Sequence, residues 1–179
     1  GFCAAHNRLI ASADFDYVLV LNPDVVLDRS FLEALITAMD EDGSAGSATG
    51  KLWRSGNETA SKKILDSTGI YFTPNQRHFD RGSGEPDHGQ YDTPEYVFGA
   101  SGAAAFYRRA MLRDIGEGDR FFDEHFFAYR EDADLAWRAQ GLGWRCLYVP
   151  HAVAYHVRRV LPERRRALPD IINMHSFKN

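Results

Sequence analysis

Tyr17-Val18-Leu19-Val20-Leu21-Asn22-Pro23-Asp24 is the stretch on which the fold of this chain turns. Its five apolar residues are too few for a buried helix and do not alternate with polar ones, which is the pattern of a central strand covered on both faces. The run stops at Asn22-Pro23-Asp24, so an amide and a carboxylate sit at the strand's C-terminal end, where open α/β sheets bind their ligands. Both side chains offer hard oxygen donors of the kind that Mg²⁺ or Mn²⁺ accepts beside phosphate oxygens. Asn-Pro-Asp is also an ordinary turn sequence, and taken alone the turn is the favoured reading.

Upstream, Ala4 to Ala13 is rich in small, helix-favouring residues with no cap before it, so the chain is expected to begin inside a helix or at its very start. Downstream, Phe31, Leu32, Leu35, Ile36 and Met39 recur at helical spacing between a cap at Asp28 or Ser30 and a stop at Gly43. Ala45 to Trp53 and Leu65 to Phe72 read as extended pieces separated by a polar turn around Ser55-Gly56-Asn57. Thr73 to Pro94 carries Gly82, Gly84, Pro86 and Gly89 with few apolar residues, which reads as a mobile loop. Gly99-Ala100-Ser101-Gly102 forms either a tight turn or a wall of small residues that a ligand can approach closely. Ala103 to Tyr107 resumes an apolar run before a short helix to Ile115, and Trp144 to Val149 and Ala152 to Val157 read as two strands on either side of Pro150.

At 179 residues, 44% hydrophobic and 26% charged, the chain is expected to form one globular domain with a real core. Lys and Arg number 21 against 25 Asp and Glu, a net charge of -4 that makes no case for nucleic acid. Cys3 and Cys146 are too few for a disulfide framework or a thiolate zinc site, which points to a reducing, cytoplasmic setting. No apolar run approaches the roughly 18 residues that cross a bilayer, and the N-terminus lacks a secretory pattern.

Phe122-Asp123-Glu124-His125-Phe126-Phe127-Ala128-Tyr129-Arg130-Glu131-Asp132-Ala133-Asp134 sets three acids within four positions directly after an aromatic run. Carboxylates beside buried aromatics are costly unless they serve a ligand, a metal or a proton. Acids are equally favoured in the first turn of any helix, and Leu135, Ala136, Ala139 and Leu142 continue at helical spacing to Gly141, so on this segment the two readings are even. His156 closes the strand Val153-Ala154-Tyr155-His156, where a neutral imidazole could ligate a metal or simply be a satisfied polar residue. His151, five residues earlier, matches no helical zinc spacing.

These signals occur in a fixed order, each at the end of an element. In that order the chain resembles the family 2 glycosyltransferases of GT-A fold, and most closely their bacterial rhamnosyltransferase-like branch, over nearly its full length. The resemblance rests on Leu21-Asn22-Pro23-Asp24, Gly99-Ala100-Ser101-Gly102-Ala103, Phe122-Asp123-Glu124 through Glu131-Asp132-Ala133-Asp134-Leu135, Gly143-Trp144-Arg145 to Tyr148-Val149-Pro150, and His156. It implies an α/β fold with a GT-A-like (Rossmann-like) mixed sheet flanked by helices. It implies inverting transfer of a sugar from a nucleotide-diphosphate-sugar donor to a saccharide or lipid-linked acceptor in bacterial cell-surface polysaccharide synthesis.

The family's Asp-x-Asp element falls on Asn22 and Asp24, with Asn22 in place of the first acid. By resemblance, Asp24 and His156 hold Mg²⁺ or Mn²⁺ against the donor diphosphate, Asp132 is the general base, and Glu131 contacts acceptor or donor sugar. Asn22, Gly99, Ala100, Ser101, Gly102, Asp134 and Arg138 complete the expected donor and acceptor contacts. Family members begin with strands and a helix that bind nucleobase and ribose, so the expectation is a partial catalytic domain over residues 1–157, N-terminally truncated, followed by a basic helix or tail over 158–179. An exposed sheet edge would then invite a homodimer. Arg158, Arg159, Arg164, Arg165 and Arg166, with Leu168, Ile171 and Ile172, would rest peripherally on the inner face of the plasma membrane. The competing readings are a nucleotidyltransferase of related α/β fold and a non-catalytic carbohydrate-binding or assembly module using Trp53, Tyr71, Phe72 and Trp137, residues that are more often core.

Overall fold

Ala104-Ala105-Phe106-Tyr107 shows how the strand period sorts the core. Ala104 and Phe106 face one apolar cluster, Ala105 and Tyr107 the other, and all four are buried. A strand buried on both faces requires helices on both sides of its sheet. The computed structural model, which describes residues 1–12, 14–55, 63–127, 129–157 and 174, has that arrangement. The elements run α1 (Phe2–Ala11), β1 (Tyr17–Leu21), β2 (Val25–Leu27), α2 (Phe31–Glu41), β3 (Ala45–Arg54), β4 (Leu65–Ser67), β5 (Ile70–Phe72) and β6 (His78–Asp80). They continue with β7 (Glu95–Val97), β8 (Ala104–Arg108), α3 (Arg109–Ile115), α4 (Glu131–Gly141) and β9 (Arg145–His156).

The main sheet has the order β1-β8-β3-β9-β2, with β4 on β3 and β7 on β9, while β5 and β6 form a separate ribbon. Among the described residues only β3 and β9 pair in parallel, so the sheet is mixed, as expected of the fold class. On one face α1, α3 and α4 bury Cys3, Ile10, Met111, Leu112, Leu135 and Ala139 against Tyr107 and Tyr148. On the other face α2 presents Phe31, Leu35 and Met39, spaced by one helical turn, to Ala48, Leu52 and Ala154. Arg108 ties the end of α2 to the sheet. Its guanidinium donates to the Met39 carbonyl, to Asp42 O at 3.2 Å and to Ala45 O at 2.9 Å, satisfying carbonyls that a helix end leaves open.

Four expectations are revised. First, β1 lies at the end of the sheet and pairs only with β8 among the described residues. Tyr17, Val18 and Leu19 are half-buried and Leu21 is exposed, because an apolar run speaks for covered faces and says nothing about paired edges. Second, the two strands around Pro150 are one strand, β9. Gly50 pairs with Val149 and Lys51 with Val153, so the residues between them bulge out and the ladder resumes. Third, 73–94 is not a structureless loop. It contains β6, and polar contacts stand in for the missing apolar ones: buried Lys51 reaches Asp87 at 3.3 Å and also Asp92, Trp53 Nε1 donates to Asp87 at 2.8 Å, and Tyr148 OH donates to Tyr91 O at 2.8 Å. Fourth, Ser30 occupies the cap position of α2 but its hydroxyl turns back to Asp28 at 3.0 Å. The basic segment from Arg158 to Arg166, with Leu168, Ile171 and Ile172, lies outside the described residues. No helix among those described is long and apolar enough to cross a membrane.

The β9 bulge is packed onto Gly50, where a Cβ would fall 2.1 Å from Ala152 O and 2.7 Å from the Phe31 ring. Gly50→Ala is therefore expected to lower unfolding stability by at least about 1–3 kcal/mol, since the nearest obstacle is backbone. Urea denaturation followed by circular dichroism measures this, and a change within about 0.5 kcal/mol would show that the bulge yields.

Candidate active site

Two side-chain clusters meet at the C-terminal end of β1, joined by the turn Asn22-Pro23-Asp24. Leu21 pairs with Ala104, and the Asn22 N–H donates to Ala103 O at 2.9 Å, which fixes the turn beside Gly99–Ala103. Two residues on, the Val157 N–H donates to Asp24 O at 2.9 Å and Val25 pairs with His156, which fixes Asp24 beside the end of β9. Three consecutive residues span at most about 7 Å between their outer Cα atoms, so the turn is a short tether between the two clusters.

The first cluster surrounds Asp132. Asp132 is half-buried in the first turn of α4, with Oδ2 accepting from the Gly102 N–H and Oδ1 from the Ala133 N–H, each at 2.9 Å. A Cβ on residue 102 would sit 3.2 Å from Oδ2, so the absence of a side chain there is what lets the carboxylate approach. Tyr129 and Arg130, at φ 70° and 72°, are non-glycine residues in the left-handed region immediately before the helix, a local strain of the kind that collects at working sites. Burial pushes the Asp132 carboxyl above the usual carboxylate range; the Gly102 N–H pulls it down, the Asp80 charge pushes it up, and His78 and the Ala133 N–H pull it down. Beside it, burial first and the Asp132 charge second push the Glu131 carboxyl up to about 7. Among the described residues Glu131 Oε2 is buried with no hydrogen-bond partner.

The second cluster surrounds His156, which is 6% exposed. Its Nδ1 lies 2.7 Å from Asp66 Oδ2, and its Nε2 lies 3.3 Å from Asp24 Oδ1. Asp66, 1% exposed, also lies 3.5 Å from Arg54 Nε, and Arg54 is the register partner of His156 across β3 and β9. With the ring proton on Nδ1 and held by Asp66, the Nε2 lone pair of a neutral imidazole faces a carboxylate oxygen. In that tautomer a carboxylate oxygen, an imidazole nitrogen and a second carboxylate behind the imidazole form a donor set of the kind a divalent metal accepts, whereas a protonated ring would itself pair with both carboxylates. Among the described residues no cluster of three or more His, Cys, Asp or Glu side chains is arranged to hold a metal by itself.

Of the other residues singled out by sequence, Ser101 is buried and its Oγ donates to Asp80 at 3.1 Å. Ala100 is buried in the core, and Gly99 is a packing contact, since a Cβ there would fall 2.5 Å from Ala136 Cβ. Asp134 and Arg138 are on a different face of α4 from Asp132. Their side chains pair at 2.9 Å, and Arg138 donates to Ile115 O and Phe121 O, so the structure does not bring them to the Asp132 cluster. They line a separate cavity of about 510 Å³ with Arg120, Asp123 and Glu124. Trp137 and Tyr71 are exposed, and Phe72 stacks on Phe98 at 4.5 Å with Trp137 5.1 Å from Phe72.

Sequence reading missed Asp66, His78, Asp80 and Asn7. Asp66 is signalled as the one charged residue of the extended piece Leu65 to Phe72, where a buried acid needs a partner. His78 and Asp80 were signalled by a Thr73-Pro74-Asn75-Gln76 turn between two alternating triplets. Asn7, 3% exposed, shares the buried face of α1 with Cys3 and Ile10; its amide accepts from the Phe121 and Phe122 N–H groups and donates to Phe122 O and Glu124.

A sequence model of the family described as "Glycosyltransferase like family 2" matches residues 1–168. Among curated proteins, the N-acetylglucosaminyl-diphospho-decaprenol L-rhamnosyltransferase of Mycobacterium tuberculosis is 31% identical over 152 residues, 79% of this chain and 47% of that protein. The pre-mycofactocin glycosyltransferase of the same organism is 30% identical over 161 residues, 89% of this chain and 30% of that protein. The chain thus spans about half the length of the first relative and less than a third of the second. Among solved structures, GalNAc-T7 with UDP, GalNAc and Mn²⁺ superposes with a TM-score of 0.64 at 12% identity, covering 89% of this chain and 31% of that one, which shows a shared GT-A fold.

The raised Glu131 carboxyl makes the folded state prefer its protonated form, so that contribution to stability is complete below about pH 4.5 and is lost as pH rises through about 7. Glu131→Gln is expected to gain stability relative to the wild type between pH 5 and pH 8, by at most about 3 kcal/mol. Urea midpoints at the two pH values measure it, and an equal difference at both would show that Glu131 titrates normally.

Proposed function

The chain belongs to glycosyltransferase family 2, and from that premise we propose that it carries the acceptor-activating and diphosphate-binding part of an inverting sugar transferase. The donor is a nucleotide-diphosphate sugar. The acceptor is a saccharide or lipid-linked glycan of bacterial cell-surface polysaccharide synthesis, a class suggested by the diphospho-decaprenol named for the mycobacterial relative. The reaction is assigned to the cytoplasmic side of the membrane, where the basic 158–166 segment would meet anionic lipid.

The observation that carries this reading is the pair of clusters joined by Asn22-Pro23-Asp24. Asp132 takes the proton of the acceptor hydroxyl as its oxygen bonds to the anomeric carbon, and the bond to the departing diphosphate breaks with its electron pair going to the phosphate oxygen. The backbone N–H groups of Gly102 and Ala133 hold the carboxylate in place, so no reorientation is needed when the proton moves. Asp24 and His156 are the residues that would hold Mg²⁺ or Mn²⁺ beside the donor diphosphate. When bound, the ion supplies neutralising charge at the leaving diphosphate. Asp66 orients the His156 ring as a carboxylate behind a ligating imidazole. Asn22 contributes its amide to the donor, and Glu131, its carboxyl pushed up to about 7, can in its protonated form donate a hydrogen bond to a sugar oxygen.

Asp132→Asn is expected to lower turnover of nucleotide-diphosphate-sugar donors by about 10²–10⁴-fold in the full-length protein, with the thermal midpoint retained. Unchanged turnover would sink the base assignment. Independently, Mn²⁺ titration followed by electron paramagnetic resonance is expected to lose tight binding in His156→Ala and to weaken by about 10–100-fold in Asp66→Asn. Equal affinity in wild type and His156→Ala would remove the metal assignment.

A further inference from the structure

We propose that Asp80, on the β5–β6 ribbon, is a positioning residue that acts through Asp132 and keeps its carboxylate basic. The inference rests on Asp132 being the base of the transfer reaction and adds a residue to that site. In the ribbon, Ile70 pairs with Asp80, Tyr71 with Phe79 and Phe72 with His78, so successive pairs point to opposite faces. Tyr71 and Phe79 are exposed together on the outer face, 54% and 52%. Ile70, Phe72, His78 and Asp80 share the inner face. That face is fastened to the site: the Ile70 N–H donates to Gly99 O at 2.7 Å, and Phe72 stacks on Phe98 beside Trp137 of α4.

The fastening brings Asp80 to the same turn that holds Asp132. Ser101 Oγ donates to Asp80 Oδ1 at 3.1 Å, and the next residue, Gly102, donates its N–H to Asp132 Oδ2 at 2.9 Å. A carboxylate charge held by one residue of a turn raises the proton affinity of the carboxyl held by the next. The direction found for Asp132 agrees, with the Asp80 charge among the causes of its rise. The charged and titratable groups around Asp132 are His78 and Asp80 from β6, Glu131 from its own helix and Tyr107 from β8. Of these, Asp80 is the acid supplied by a separate ribbon, so the ribbon's seating sets the field at the base.

The test reads the titration of Asp132 directly. In ¹³C-aspartate-labelled protein the Asp132 carboxyl signal is assigned by its loss in Asp132→Asn, then followed with pH in the wild type, Asp80→Asn and Asp80→Glu. Asp80→Asn keeps an oxygen for the Ser101 hydroxyl and removes the charge. It is expected to move the Asp132 titration to lower pH, and in the full-length enzyme to move the acid limb of kcat/KM the same way. Asp80→Glu restores the charge and is expected to bring both back toward the wild type. An Asp132 titration that stays in place or rises in Asp80→Asn overturns the proposal, as does an equal fall in Asp80→Glu. If Asp80→Asn moves the titration but Asp132→Asn retains turnover, the base assignment fails and the coupling stands. If Asp132→Asn abolishes turnover and Asp80→Asn leaves the titration in place, the coupling fails alone.

Discussion

The hydrogen bond from the Gly102 N–H to Asp132 Oδ2 is the constraint around which this site is built. It favours a glycine, because a Cβ at 102 would fall 3.2 Å from the carboxylate oxygen and push it back by a few tenths of an ångström, and it ties the start of α4 to the turn before β8. Once the helix axis is set, Ala136 lies so close to residue 99 that a second glycine is needed there, and Trp137 reaches the Phe72 ring of the β5–β6 ribbon. The same turn receives β1 through the Asn22 N–H on Ala103 O. Without the two backbone donors a half-buried carboxylate would bear a desolvation cost of several kcal/mol.

The helix period then divides one acidic run between two roles. Asp132 faces the turn of small residues, whereas Asp134, two positions on and about 200° around the helix, pairs with Arg138. Arg138 grips Ile115 O and Phe121 O, and from the other side Asn7 grips the Phe121 and Phe122 backbone. The segment leading into Glu131 is thereby clamped between α1 and α4, which accounts for the persistence of two left-handed non-glycine residues just before the helix.

What was legible in the sequence is local. Element ends carry the turn, cap and acid signals, so Asn22-Pro23-Asp24, Gly99–Gly102, Glu131-Asp132 and His156 stood out as residues with two readings each, and the family resemblance is what drew them together as one candidate site. What was not legible is set by register between distant segments. Asp66 meets His156 across 90 positions only because β4 pairs with β3 and β3 with β9, and Asp80 meets Ser101 only because a two-stranded ribbon folds onto Gly99. An apolar run likewise could not reveal that β1 would end the sheet, nor could Pro150 reveal that β9 passes through it as a bulge.

Electrostatics then separates the two neighbouring acids. The charged form of Asp132 receives two backbone N–H donors, while Glu131 Oε2 is buried without a partner among the described residues and its proton affinity is raised further by the Asp132 charge. Hydrogen bonds to a carboxylate favour its anion, and burial without them favours the neutral acid. Burial raises both carboxyls, and at Asp132 the Gly102 and Ala133 N–H groups oppose that rise by bonding to the charged form. What distinguishes the two neighbours is therefore which of them faces Gly102, and that is decided by the helix period.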